Sequence, residues 1–133
     1  MDEKIIKIME KEFVTYEIAL MLKELDFNKE CFKAYDEKGY LQDEDVMDKL
    51  KLKKVLAPLW QQAIDFLEEK NIVVEILPKE DGKYSVAYYH KDMSLEEIYE
   101  FFHNAEVVQY TLYNTKIKAR EAAILKAIEL CQK

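Results

Sequence analysis

The sequence predicts an α+β domain: an antiparallel or mixed sheet of about four to six strands, with helices mainly on one face. Three observations carry that expectation. Segments with apolar residues at helical spacing alternate along the chain with short β-prone runs. The β-prone runs come in pairs joined by turn chemistry, and the only two glycines, Gly39 and Gly82, sit in those turns. Half of the 133 residues are apolar, which is enough to bury one continuous core and make residues 1–133 a single domain.

The elements follow in the order α-ββ-α-ββ-α-β-α. Ile5, Ile6 and Met9 make residues 1–11 either an early helical turn or a loosely ordered lead. Thr15 caps a helix from Tyr16 to about Leu25, with Ile18, Ala19, Leu22 and Leu25 on one face. Asp26-Phe27-Asn28 ends it, because Asp and Asn tolerate the left-handed backbone of an exit turn. Cys31 to Tyr35 reads as a short strand, Asp36-Glu37-Lys38-Gly39 as a turn, and Tyr40-Leu41-Gln42 as the return strand. The acidic stretch from Gln42 to Asp48 reads as a loop. The alternation of Lys49, Lys51 and Lys53 with Leu50 and Leu52 reads as an edge strand whose lysines discourage mispairing.

A second helix covers about Pro58 to Lys70. Pro58 suits the first helical position, and Trp60, Ala63, Ile64 and Leu67 form its buried stripe. Asn71 is its exit. Ile72 to Leu77 and Tyr84 to Tyr89 form a hairpin around the Asp81-Gly82 turn signal, with Pro78 stopping the first strand. Ser94-Leu95-Glu96-Glu97 is a capping box, and Leu95, Ile98, Tyr99 and Phe102 make the apolar stripe of a short helix. Glu106 to Tyr113 alternates as a last strand. A final helix runs from Thr115 to near Cys131, with Ile117, Ala123, Ile124, Ala127 and Ile128 inward. The helix of residues 57–70 is expected to cover one face of the tyrosine-bearing sheet and leave the other open.

Composition excludes several functions. The formal net charge is −7, and acidic residues outnumber basic ones outside two short clusters (Lys49, Lys51, Lys53 and Lys54; Lys116, Lys118 and Arg120), so no nucleic acid is expected as partner. No run approaches the length that spans a bilayer, and no membrane association is expected. Cys31 and Cys131 make no ligand spacing, and a chain with two reduced thiols fits the cytosol. Two glycines are too few for a phosphate-cradling loop. The Asp36–Asp48 acids break the register of a calcium loop, with Lys38 at a ligand position. No cofactor and no metal site are expected.

Three sets of residues remain as candidates. His90 and His103 are the only histidines and the only centres around which an enzyme site assembled from distant residues could form. Their simpler reading is structural, with His103 favoured by the dipole at a helix C-terminus. Asp43, Glu44, Asp45 and Asp48, with Glu96, Glu97 and Glu100, could present acid to a nucleic-acid-binding protein, as a DNA mimic does. Tyr88 and Tyr89 are adjacent and must face opposite sides of a strand. With Tyr110 they form the expected interaction surface, since exposed tyrosines bury area at low entropy cost.

Phe13-Val14-Thr15, Leu22 to Phe27, Cys31-Phe32 and Tyr35 form one run of a longer pattern. Ala57-Pro58 with Gln62 to Lys70, and Tyr113-Asn114-Thr115 with Ala119 to Leu130, complete it. Together these pieces resemble a group of small uncharacterised proteins encoded by phages and prophages of gut Bacteroidetes. The chain departs from that group in holding Asp26 where it favours glycine, Phe66 where it favours tryptophan, and Lys118 where it favours an acid. The resemblance implies a mobile-element setting and no activity. The leading expectation is a small protein that binds another protein or itself, with the acidic inhibitor and the histidine enzyme as alternatives.

Overall fold

The structure is a computed structural model that describes residues 11–103 and 112–132. It is α+β, with five strands among the described residues arranged in two antiparallel sheets. The chain forms two compact units, Met1–Phe66 and Leu67–Lys133.

In the first unit, helix α1 (Tyr16–Glu24) begins at Thr15, whose side chain accepts the Ile18 N–H, and packs on strand β3 (Val55–Ala57) through Ile18, Ala19 and Leu22. Strands β1 (Lys33–Tyr35) and β2 (Leu41–Asp43) pair in register Lys33↔Asp43, and β3 pairs with the other edge of β1, giving the order β2-β1-β3. The β1–β2 turn is closed by Gly39 N–H on Asp36 O. Gly39 has φ 84°, and a Cβ there would meet the Tyr16 ring at 3.4 Å, so glycine serves both the turn and the close approach. The Asp36 carboxylate accepts the Tyr40 and Lys38 N–H groups and the Gln42 amide, and these bonds, Tyr40 first, hold its carboxyl below the ordinary range.

The stretch expected as an acidic loop over Gln42 to Asp48 is instead the end of β2 and a one-turn helix, α2 (Glu44–Lys49). Met47 is fully buried and gives the turn an apolar anchor, while Glu44 and Asp45 complement the dipole at its start and Lys49 at its end. The edge strand expected at 49–53 is the exit of this helix. Lys51 has φ 54°, its N–H bonds Asp48 O, and the Leu52 N–H bonds Met47 O, the pattern of a Schellman stop. Alternating Lys and Leu therefore marked a helix end, and the strand forms four residues later.

Helix α3 (Trp60–Glu69) starts two residues after Pro58, not at it. Leu59 accepts the Ala63 N–H and gives its own N–H to Gln62 Oε1, which is the return half of a capping box. The Pro58 carbonyl instead accepts the Val14 N–H. Trp60, Ala63 and Phe66 are buried in this unit, and the Phe27 and Phe66 rings meet edge to face at 5.0 Å. Tyr35 donates its hydroxyl to the buried Val14 carbonyl at 2.5 Å.

In the second unit, β4 (Ile72–Pro78) and β5 (Tyr84–His90) form the expected hairpin, paired from Ile72↔His90 to Pro78↔Tyr84. Asp81 and Gly82 both have positive φ, as the turn demands. Ser94 and Glu97 complete their capping box at the start of α4 (Leu95–His103). Leu95 and Tyr99, expected on its inward stripe, are exposed, Leu95 at 87%. A surface helix needs only part of its apolar face inward, and the side chains of Ile98 and Phe102 lie outside the described residues.

Helix α5 (Lys116–Cys131) packs on β4 and β5. Thr115 caps it through the Lys118 N–H, and Ala119, Ala123, Ile124, Ala127 and Ile128 are buried. Most of the strand expected over Glu106 to Tyr113 lies outside the described residues. Tyr113 exchanges two hydrogen bonds with Tyr84, at 2.7 and 2.9 Å. The expectations for residues 1–10 also lie outside the described residues.

Three helices end on left-handed residues that are not glycine: Asp26, Lys51 and Asn71. Lysine gains no local hydrogen bond from that conformation, whereas Asp and Asn can. Lys51→Gly is therefore expected to stabilise the chain by about 0.5–1 kcal/mol, and Asn71→Gly by less. Urea midpoints of the two variants check the order.

Candidate functional site

The first unit carries an open cleft of about 910 Å³. The loop from Asn28 to Phe32 forms one wall, the acidic side of α2 (Glu44, Asp45 and Asp48) the other, with Lys54, Leu56 and Gln62 between them. Gln62 ties the first wall to the head of α3: its Oε1 accepts the Leu59 N–H and its Nε2 donates to the Glu30 carbonyl, both at 2.9 Å. Lys54 lies against Glu44 and 3.4 Å from Asp48. The Glu44 hydrogen bond, more than any other cause, holds the Lys54 ammonium above its ordinary range.

Cys31 is half-buried in this cleft and donates its thiol to the Lys29 carbonyl. Burial, with the Glu44 charge second, pushes the thiol up to about 11 from its ordinary 9.0. A nucleophilic cysteine needs the opposite shift. Because the folded-state value is raised, folding is favoured fully below pH 9 and loses that contribution as pH climbs toward 11. Alkylation of Cys31 by iodoacetamide at pH 8 is expected to be about 100-fold slower in the folded than in the unfolded chain. Mass spectrometry of the Cys31 peptide under native and urea conditions checks this.

Part of the acidic set expected from the sequence is paired with lysines. Asp43, expected in the acidic set, bonds Lys33 across the strand pair at 2.5 Å. Glu44 and Asp48 both face Lys54. The acids of the first unit are thus interleaved with lysines. Among the described residues, no three His, Cys, Asp or Glu side chains converge as a metal site would require. His90 is exposed at the end of β5, and the side chain of His103 lies outside the described residues.

The expected tyrosine surface is only partly open. Tyr88 pairs with Val74 and so lies on the face that carries the buried Ile72 and Val74. Tyr89 lies on the opposite face, half-buried, with its hydroxyl donating to Glu75 at 3.0 Å. Burial first, and then Glu75, raises the Tyr89 phenol above its ordinary value. Tyr110 lies outside the described residues.

The exposed apolar surface that sequence reasoning missed is in the first unit. Phe32, Tyr40, Val46, Leu50 and Leu52 are between 50% and 72% exposed. Val46 and Leu50 stand one helical turn apart on α2 and so share a face, while Met47 turns inward. Leu52 and Met47 line a groove of about 310 Å³ with Asp36, Glu37, Lys38 and Lys53. A second groove, of about 280 Å³, shares Asp36, Glu37 and Lys53 and runs on to Tyr16, Leu20 and Val55. Val46, Met47 and Leu50 stand at helical spacing in the sequence, but the segment read as loop and strand.

Among the described residues, no helix is long and apolar enough to cross a membrane. Comparisons with family models, with curated proteins and with solved structures return no match.

Proposed function

We propose that the chain is a small cytoplasmic protein-interaction module of phage or prophage origin. One observation carries the interaction reading: five large apolar side chains stand at least half exposed within residues 32–52. Small monomeric proteins seldom concentrate such residues without a partner to cover them. In the cleft beside them the thiol is held protonated, and Glu44 and Asp48 face Lys54. The phage or prophage origin rests on the sequence resemblance alone. Pairing of Asp43, Glu44 and Asp48 with lysines weighs against an acidic mimic of nucleic acid.

The test is site-specific photo-crosslinking in cells that make the protein. A benzoylphenylalanine placed at Phe32, Tyr40 or Leu50 should give a discrete adduct with one protein. The same probe at exposed Lys83 should not. Equal, diffuse labelling from all four positions would remove the reading.

A further inference from the structure

The face formed by the end of α2 combines apolar and basic character in a chain of net charge −7. Leu50 and Leu52 are exposed, and Lys49, Lys51 and Lys53 alternate with them, also exposed. Among the described residues these three lysines make no ion pair, whereas their neighbour Lys54 is neutralised by Glu44 and Asp48. Lysine also occupies the left-handed position at 51, where glycine or asparagine would relax the backbone. The adjoining groove has Met47 and Leu52 as apolar lining and Lys38 and Lys53 beside Asp36 and Glu37, with the Asp36 carboxylate already taken up by the Lys38 and Tyr40 N–H groups and the Gln42 amide.

Resting on the interaction reading above, we propose that this face docks an acidic amphipathic helix of a partner protein. The partner's apolar side chains lie over Leu50 and Leu52 and enter the groove beside Met47. Its flanking carboxylates meet Lys49, Lys51 and Lys53. Complementarity of charge selects this occupant, since a basic helix would set like charges against the lysines. A polyanionic surface is disfavoured for a different reason. An extended phosphate backbone or an anionic bilayer reaches past the lysines to the field of the whole chain, which repels it. A short acidic helix sets its carboxylates directly against the exposed lysines, where the attraction is least screened.

The probe is a fluorescein-labelled, stapled helical peptide with leucine at i, i+3, i+4 and i+7 and glutamate on the flanks. Its control replaces every glutamate with lysine. Fluorescence anisotropy with the full chain should show the glutamate peptide binding at least about tenfold more tightly, with affinity falling as salt rises. Leu50→Ser with Leu52→Ser should weaken binding about tenfold or more, as should Lys49→Gln with Lys51→Asn and Lys53→Gln. Asparagine keeps the left-handed backbone at 51, so the lysine variant remains decisive even if the leucine variant unfolds. Amide shift changes should centre on residues 36–38 and 46–53.

Equal binding of both peptides, no binding of either, or insensitivity to both variants would overturn the proposal. Tighter binding to phosphatidylserine vesicles or to a single-stranded oligonucleotide would overturn it too, and would assign the face to a membrane or a nucleic acid. Peptide failure with crosslinks persisting from position 50 would remove the acidic helix and leave the interaction reading standing. Loss of both would remove the two together.

Discussion

Trp60→Ala is expected to lower the unfolding free energy by about 3–5 kcal/mol, the range for truncating a buried aromatic. Trp60 is 4% exposed at the start of α3, and its indole N–H donates to the Lys11 carbonyl at 2.7 Å. Its backbone N–H reaches the Glu12 carbonyl, Phe13 bridges Leu59, and the Val14 N–H bonds Pro58 O. The indole therefore ties the segment from Lys11 to Val14 to the head of α3, and truncation opens a cavity and releases that tie. Trp60→Phe keeps most of the apolar contact and loses the hydrogen bond, so it should cost about 1 kcal/mol plus a smaller packing term. Urea unfolding followed by circular dichroism checks both variants. If Trp60→Ala cost no more than Trp60→Phe, the ring would not be the anchor of this junction.

In the second unit, the paired substitutions Ile124→Ala and Ala123→Leu are expected to destabilise in opposite ways. Ala119, Ala123 and Ala127 recur at helical spacing on α5, all fully buried, beside Ile124 and Ile128. Alanines on the packed face let the helix approach β4 and β5 closely, and the two isoleucines fill the space beside that contact. Ile124→Ala leaves a cavity, at about 2–5 kcal/mol. Ala123→Leu forces the helix off its seat, at about 1–3 kcal/mol. Lys126→Ala on the exposed face should stay within about 0.5 kcal/mol of the parent. A neutral Ala123→Leu would mean that α5 does not sit as closely as the alanine row implies.

The elements read correctly from the sequence have their instructions within a few residues. Thr15, Ser94 and Thr115 cap helices because a hydroxyl three residues ahead of an amide reaches it whatever the rest of the chain does. Asp81-Gly82 turns a hairpin because both residues tolerate positive φ. The misread segment, Gln42 to Lys53, has weak local instructions. Six residues cannot sustain a helix alone. α2 exists because Met47 finds a buried place and because Leu52 closes the Schellman stop. Neither fact can be read from a run of alternating Lys and Leu, which suits an edge strand equally well. The surface around Leu50 was missed for the same reason, since a side chain's exposure depends on which neighbour takes the inward position.

Local chemistry was thus enough to establish the α+β class, the helix starts at Thr15, Ser94 and Thr115, and the β4–β5 hairpin. Long-range burial decided the rest: that β3 rather than residues 49–53 joins β1, that the strands divide between two sheets, and that α5 packs on the hairpin. Caps and turns act over three or four residues, so the chain carries them explicitly. Strand partners and exposed faces are chosen by competition among many apolar segments for limited buried space. Only the assembled structure settles that competition, and it left Leu50 and Leu52 at the surface beside the exposed Lys49, Lys51 and Lys53.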